Sequence, residues 1–165
     1  MLPHLNDAYT LARYLTRNDH DAEDVVQDAL LRAFTYRHTY RGESAGSARA
    51  WLLAIVRNTA FSWRRRGNRV ETSTEFDETQ HSESVADQHP ETAMLRGATR
   101  DAIRTALDQL PIEFREVIIL REVEGLSYQE IGEVAGVPVG TVMSRLSRAR
   151  NRLQQALRQE TGREG

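Results

Sequence analysis

The stretch from Leu126 to Leu153, LSYQEIGEVAGVPVGTVMSRLSRARNRL, decides the fold of the C-terminal part of the chain. Ser127 with Glu130 three residues later forms a capping box, so a helix is predicted to begin at Ser127. Gly136 ends that helix. Pro138 suits the first turn of the next helix, because its φ is preset and it has no N–H to satisfy. A short helix, a tight turn and a longer second helix predict a helix-turn-helix.

The second helix of this motif has an apolar face and a basic face. The apolar positions recur at helical spacing and are Val142, Leu146, Ala149 and Leu153. The span between Glu133 and Glu160 contains no acid, and its arginines are Arg145, Arg148, Arg150, Arg152 and Arg158. Ser144, Arg145 and Arg148 fall away from the apolar face, and arginine can bind guanine or phosphate. A basic face that contacts only solvent is the alternative, but the helix-turn-helix favours a recognition helix for DNA.

The segment AGVPVGTVMSRLSRAR, residues 135–150, resembles conserved region 4 of the extracytoplasmic-function (ECF, group 4) sigma factors of bacterial RNA polymerase. This resemblance implies that the C-terminal helices bind the -35 promoter element. The residues expected to make this contact are Thr141, Ser144, Arg145, Arg148 and Arg152.

Composition narrows the class of protein. A chain of 165 residues with 39% hydrophobic residues can form one medium domain or two small ones. Cysteine is absent, which excludes a disulfide framework or a cysteine zinc site and fits a reducing cytoplasm. No apolar run approaches the roughly 20 residues that span a bilayer, and the N-terminus lacks a signal-peptide core. We therefore expect a soluble, cytoplasmic protein with no membrane insertion.

An acidic helix is predicted near the N-terminus, over residues 21–34, with Asn18 as its cap. Its buried stripe consists of Ala22, Val25, Val26, Ala29 and Ala33. The opposite side carries Asp24, Gln27, Asp28 and Leu31, and an exposed leucine among acids is a candidate docking patch. An ordinary solvent-facing acidic surface is the alternative. The segment DAEDVVQD resembles region 2.2 of the same family, which implies that these four residues bind the β′ clamp helices of core polymerase.

The next block combines aromatic rings, arginines and small residues. Its rings and cations are Phe34, Tyr36, Arg37, His38, Tyr40 and Arg41, and together they suit a single-strand site where bases stack on rings. A helix follows and ends in Arg64, Arg65 and Arg66. The stretch resembles regions 2.3 and 2.4, which melt the -10 element and hold a flipped base. The resemblance implies -10 contacts by Tyr40, Arg57, Asn58, Arg64 and Arg65, with Asn58 on the base, whereas Trp51 is expected in the core.

Residues 70–91 are acidic and polar, cannot bury enough surface to fold alone, and are predicted to form a flexible linker. His81 and His89 lack a cysteine or helical histidine partner, so no metal site is expected. Helices resume from Thr92 to Leu110 and after Pro111. Inward positions of the second helix are predicted to be Phe114, Val117, Ile118 and Val123. The segment LPIEFREVIILREVEGLSYQEI resembles region 4.1 running into 4.2.

The sequence thus predicts an all-α protein of two small helical domains, residues 1–69 and 92–165, joined by the acidic linker 70–91. The resemblance implies a promoter-specificity subunit that binds the β′ clamp helices and β flap of RNA polymerase core and promoter DNA. It also implies a stress or envelope-type regulon and control by an anti-sigma factor. The alternative is a stand-alone helix-turn-helix regulator of the LuxR or response-regulator output type, which would leave the acidic helix and the block 40–66 unexplained. No enzyme activity, cofactor or small-molecule substrate is predicted, because the chain lacks a phosphate loop, HExxH or a nucleophile elbow.

Overall fold

The computed structural model describes residues 4–39, 45–67 and 99–164, and the regular structure in these ranges is helical. The first three helices are α1 (Leu5–Thr16), α2 (Asp19–Thr35) and α3 (Ala45–Gly67), with a 3-10 turn at Arg37–Thr39. The later helices are α4 (Arg100–Asp108), α5 (Ile112–Ile118) with a π-helical turn (Ile119–Val123) as its continuation, α6 (Tyr128–Ala135) and α7 (Val139–Glu164). The all-α prediction is confirmed. The predicted linker 70–91 lies outside the described residues.

The first unit consists of α1, α2 and α3, which pack pairwise against one another. The Asn18 side chain accepts a hydrogen bond from the Asp21 N–H at 3.0 Å, which caps α2 as predicted. The stripe predicted for α2 is buried in full. Arg32 of α2 donates to the Thr59 hydroxyl of α3 at 3.4 Å, and Trp51 packs against the core while partly buried.

The second unit consists of α4 to α7. Helix α7 packs against α4, α5 and α6 through the predicted apolar face, and Phe114, Val117 and Ile118 of α5 are buried as expected. The inward position of Val123 was wrong, since this residue is 53% exposed. Five residues separate it from Ile118, which is about 140° around a regular helix. The π-helical turn then ends the helix, with the Glu124 N–H bonded to the Ile119 carbonyl at 3.0 Å.

The two units pack directly against each other. Helix α3 contacts α6, and α1 contacts both α5 and the π-helical turn. The buried apolar residues of both units form one continuous cluster. Every residue from Phe114 to Leu120 is buried, because α5 is covered by its own unit on one side and by the first unit on the other. A helix surrounded in this way is apolar or internally paired around its whole circumference.

Arg115 is the largest polar group in this contact and is only 2% exposed. Its guanidinium donates to the carbonyls of Leu107 at 3.1 Å and Leu110 at 3.0 Å in its own unit. It also donates to the carbonyl of Tyr14 at 3.0 Å, near the end of α1. Carbonyls at helix ends have no partner within the helix, so one buried arginine satisfies acceptors from both units. Burial, with the nearby charge of Arg17 among other causes, lowers the pKa of Arg115 to about 10, so it stays charged at neutral pH.

Candidate nucleic-acid interface

The predicted helix-turn-helix is formed by α6 and α7. Ser127 and Glu130 make the predicted capping box: the Glu130 N–H donates to Ser127 Oγ at 3.1 Å, and the Ser127 N–H donates to Glu130 Oε1 at 2.9 Å. Gly136 adopts φ 72° at the end of α6, where a side chain would be strained. A Cβ on Gly132 would lie 2.8 Å from the Val137 carbonyl oxygen. Gly132 is therefore needed for the close approach of the chain at this turn, and Gly136 is needed for its left-handed backbone.

Helix α7 presents a surface that suits a recognition helix. Thr141, Ser144 and Arg148 are partly exposed on it, as predicted. Val139 and Met143, four residues apart, are 41% and 52% exposed, and the sequence analysis had not assigned them to this surface. Their spacing is the signal that could have found them, since residues at i and i+4 share a helix face. Apolar side chains of this kind can contact thymine methyl groups in the major groove.

Two of the arginines expected on this surface lie close to residues of α5. Arg145 is only 8% exposed, so its predicted orientation away from the core was wrong. Its charge acts on the buried carboxylate of Glu116 in α5, which explains why an arginine can lie there. The Arg152 guanidinium lies 5.2 Å from the centre of the Phe114 ring. A contact of either arginine with DNA stays a prediction, and Arg148 is more exposed than Arg145.

Four of the five residues expected at the -10 element lie on α3. Asn58 is exposed, and its side-chain oxygen accepts a hydrogen bond from Arg57 at 3.2 Å. Arg57 is itself engaged: its Nε lies 2.5 Å from Glu116 Oε1, and its guanidinium lies 3.8 Å from the centre of the Phe61 ring. Arg65 is exposed, whereas Arg64 is partly buried and makes further contacts. Tyr40 lies outside the described residues.

Exposed aromatic rings stand where α2 ends. Phe34 is 59% and Tyr36 is 55% exposed, and the Arg37 guanidinium lies 4.1 Å from the centre of the Phe34 ring. The rings of Tyr36 and His38 are 6.5 Å apart between centroids. Large exposed rings beside cations can stack with unpaired bases, and the described part of the predicted single-strand site has this composition.

The acidic face of α2 points away from α1 and α3. Asp24, Gln27 and Leu31 are exposed, and Leu31 is exposed by 68%. Asp28 is half-buried and lies 3.4 Å from Arg32 one turn later. An exposed leucine among acids has no partner in the described residues of this chain. The surface predicted from the sequence is therefore available to another protein.

Two buried carboxylates were missed by the sequence analysis. Glu116 is fully buried, and burial raises its pKa while the charge and hydrogen bond of Arg57 oppose that rise. Glu124 is 5% exposed and accepts a hydrogen bond from Arg49 at 3.0 Å. Burial, together with the hydrogen bond and charge of Asp7, raises the pKa of Glu124 to about 8. One oxygen of each carboxylate has no hydrogen-bond partner among the described residues.

The described residues hold neither a candidate metal site nor a membrane-spanning helix. These residues contain no group of three or more histidine, cysteine, aspartate or glutamate side chains arranged to hold a metal ion. His81 and His89 lie outside the described residues. None of the described helices is both long enough and apolar enough to cross a membrane. The candidate binding surfaces of the described residues are thus basic, aromatic or acidic faces of helices.

Comparison with known proteins identifies the family to which the two helical units are similar. A model described as sigma-70 region 2 matches residues 1–70, and one described as sigma-70 region 4 matches residues 100–153. The chain is 36% identical over 154 residues to the ECF RNA polymerase sigma factor SigE of Mycolicibacterium smegmatis, covering 93% of this chain and 58% of that protein. It is 37% identical over 152 residues to the ECF RNA polymerase sigma-E factor of Haemophilus influenzae, covering 87% of this chain and 77% of that protein.

A solved structure agrees with the sequence comparisons. The sigma factor RpoE of Bartonella quintana, in complex with the anti-sigma factor NepR, aligns with a TM-score of 0.72 and 35% identity. The alignment covers 95% of this chain and 93% of that chain. Both helical units and their order are thus shared with proteins of one class, and the chain belongs to the ECF sigma factors of the sigma-70 family.

Proposed function

We propose that this chain is the promoter-specificity subunit of a bacterial RNA polymerase, that it binds promoter DNA through α7 and α3, and that it binds the core enzyme through α2. The main support for the proposal is that two family models match this one chain in order, sigma-70 region 2 followed by sigma-70 region 4. A stand-alone helix-turn-helix regulator is not favoured, because the matches extend over the first unit as well. The proposed role is one of binding rather than catalysis.

Recognition of the -35 element is proposed for the N-terminal half of α7. The tight turn at Gly132 and Gly136 precedes this helix, and Thr141, Ser144 and Arg148 are partly exposed at positions that share one helix face. An arginine that contacts a guanine with two hydrogen bonds contributes about 1–3 kcal/mol of sequence discrimination. A contact with phosphate would strengthen binding to every sequence alike.

Capture of the melted -10 strand is proposed for α3 and the end of α2. The Asn58 amide offers both a donor and an acceptor, so it can read the edge of an unstacked base. The exposed rings of Phe34 and Tyr36 can stack with neighbouring bases. Unstacking a base costs a few kcal/mol, which contacts of this kind must offset. We therefore expect loss of Asn58 to impair strand opening more than DNA docking.

Docking on core polymerase is proposed for the acidic face of α2. Leu31 supplies an apolar centre, and Asp24, Gln27 and Asp28 surround it with groups that can pair with basic residues of a partner. Interfaces commonly combine an apolar centre with a polar rim. We assign this face to the β′ clamp helices and the second unit to the β flap, following the family resemblance.

Control by an anti-sigma factor in the cytoplasm is also part of the proposal. Its support is the solved relative from Bartonella quintana, which was crystallised with the anti-sigma factor NepR. A second structural match, CnrH with the cytosolic domain of CnrY, has 24% identity and supports only the shared fold.

Run-off transcription with purified core polymerase tests the function. The wild-type chain with core should produce transcripts from its promoter, and neither component alone should do so. Asn58→Ala should bind core normally, lose transcription from linear duplex and recover much of it on a template with a pre-melted -10 region. If the bubble does not restore transcription, or if the variant melts at a lower temperature, Asn58 has a structural role instead.

A docking variant separates the core contact from the DNA contacts. Asp24→Arg combined with Leu31→Asp should weaken capture of core while helix content stays unchanged, because both side chains are exposed. Capture equal to that of the wild type would remove this face of α2 from the interface.

A further inference from the structure

We propose that Arg57 is a positioning residue for base recognition: it holds the side-chain amide of Asn58 in one orientation, with the oxygen toward Arg57 and the NH2 group toward an unstacked base. This inference rests on the proposed function of Asn58 and deepens it, because it assigns which side of the amide meets the base. The family resemblance implied a direct DNA contact for Arg57. The geometry gives this arginine a role through its neighbour on α3 instead.

The hydrogen bond between the two side chains defines the orientation of the amide. Arg57 Nη1 lies 3.2 Å from Asn58 Oδ1. A guanidinium has only donors, whereas a primary amide has an acceptor at its oxygen and two donors at its nitrogen. The atom that faces Arg57 must therefore be the oxygen, because the NH2 group would place donor against donor. The NH2 group then lies on the other branch of the amide, on a residue that is exposed.

The Arg57 side chain is itself held in place by the ring of Phe61. Its guanidinium lies 3.8 Å from the centre of that ring, and the side chain of Arg57 is only 18% exposed. Phe61 follows four residues later on α3 and packs against the hydrophobic core while partly buried. An arginine stacked on an anchored ring has already lost much of its rotamer freedom, so its hydrogen bond to Asn58 costs little further entropy.

Glu116 is a further partner of Arg57. Its Oε1 lies 2.5 Å from Arg57 Nε, whereas Asn58 is bound by Nη1, so the two acceptors do not compete for one donor. Glu116 belongs to α5, across the junction of the two units. Phe61 and Asn58 lie on α3 with Arg57, so the orientation of the amide has a basis within the first unit alone.

A fixed amide distinguishes bases more sharply than one that turns freely. A free amide can rotate by half a turn and offer either its donors or its acceptor to the same atom of a base, so it discriminates weakly. When the oxygen is held by Arg57, the NH2 group donates to an acceptor atom of the base. A base that presents a donor at that point leaves both groups unpaired, which is unfavourable. The preference among the four bases therefore depends on Arg57 even though Arg57 does not touch the base.

Nuclear magnetic resonance of the free chain tests the orientation without DNA or polymerase. The 15N order parameter of the Asn58 NH2 group should be about 0.8 in the wild type and below about 0.6 in Arg57→Met, because the amide then turns freely. Arg66→Met is the matched control, since Arg66 is an exposed arginine of the same helix that lies 5.6 Å from the centre of the Trp63 ring. It should leave the order parameter unchanged. Equal values in the wild type and Arg57→Met would overturn the inference.

Base preference is measured with the chain assembled on purified core polymerase. A pre-melted promoter probe, selected from a random pool by the wild type, is made in four versions that differ only at the most strongly preferred base of the melted strand. The best base should bind about tenfold more tightly than the worst for the wild type, and about twofold or less for Arg57→Met. Arg66→Met should leave this ratio unchanged, even if it weakens binding to all four probes alike.

Phe61→Leu is a second variant, which keeps the test decisive if Arg57→Met does not fold by circular dichroism. It removes the ring that supports the guanidinium but retains Arg57 and the charge that faces Glu116. The order parameter of the Asn58 NH2 group should fall, and the base preference should drop to about threefold. Wild-type values of both quantities in Phe61→Leu would contradict the role given to Arg57.

Combination of Arg57→Met with Asn58→Ala separates positioning from direct contact. The double variant should show the same base preference as Asn58→Ala alone, because Arg57 acts through Asn58. Additive losses would mean that Arg57 reads the base itself, and equal weakening on all four probes would make it a phosphate contact; either result overturns the inference. If core does not bind, or if the wild type shows no base preference, while Arg57→Met still frees the amide, the proposed function fails and the orientation by Arg57 stands.

Discussion

Replacement of Arg115 by methionine is expected to destabilise the chain strongly, because three short hydrogen bonds from one guanidinium disappear. The acceptors are the carbonyls of Tyr14, Leu107 and Leu110 at 3.0–3.1 Å. Each such bond contributes about 1–1.5 kcal/mol, so the three together contribute about 3–4.5 kcal/mol. Removing a buried charge offsets part of this loss, and its burial is what lowers the pKa of Arg115 to about 10. We expect a net loss of about 2–4 kcal/mol in the free energy of unfolding.

Urea titration followed by circular dichroism measures this loss as a shift in the unfolding midpoint. Arg121→Met is the matched control on the π-helical turn. Arg121 is partly exposed, donates to the Leu126 carbonyl at 2.9 Å, and lies 4.7 Å from the centre of the Tyr128 ring. Its replacement should cost about 1 kcal/mol or less. If Arg115→Met and Arg121→Met are equally stable, the arginine does not stabilise the junction as reasoned.

Two further predictions concern pH and promoter recognition. Burial raises the pKa of Glu124 from 4.5 to about 8. Between these two pH values the folded chain retains a proton that the unfolded chain releases. The free energy of unfolding should therefore fall as pH rises from about 4.5 to about 8. Glu124→Gln should flatten this dependence in urea midpoints measured across that range, and an unchanged slope would contradict the assignment. Arg148→Ala should weaken binding to a -35 duplex selected from a random pool by about 1–3 kcal/mol relative to a scrambled duplex. Arg150→Ala is the control and should change binding less, because the Arg150 side chain pairs with Glu122. If Arg148→Ala weakens binding equally to both duplexes, Arg148 is a phosphate contact. If it weakens binding to neither duplex, Arg148 is not in the interface.

The sequence by itself determined the features that depend on neighbours along the chain. The capping box at Ser127 and Glu130, the cap at Asn18 and the αL glycine at Gly136 all lie where short-range chemistry predicted them. The apolar stripes of α2 and α7 follow helical periodicity and are buried. The exposure of Leu31 followed from the same periodicity. Family resemblance then suggested the role that we propose for each helix, and the comparisons confirm the family.

Only the tertiary structure decided which polar side chains lie inside. Arg115, Glu116 and Glu124 read as the polar side of an amphipathic helix and its end, yet they are buried because the first unit covers that side. Arg145 lies inward for a different reason, because its charge acts on the buried carboxylate of Glu116 on another helix of the same unit. A charged side chain is buried in a protein only where a hydrogen-bond or charge partner compensates for the loss of water. Here such partners are up to 101 residues away along the chain. Local pattern carries no information about such pairs, so the junction of the two units emerged only from the fold.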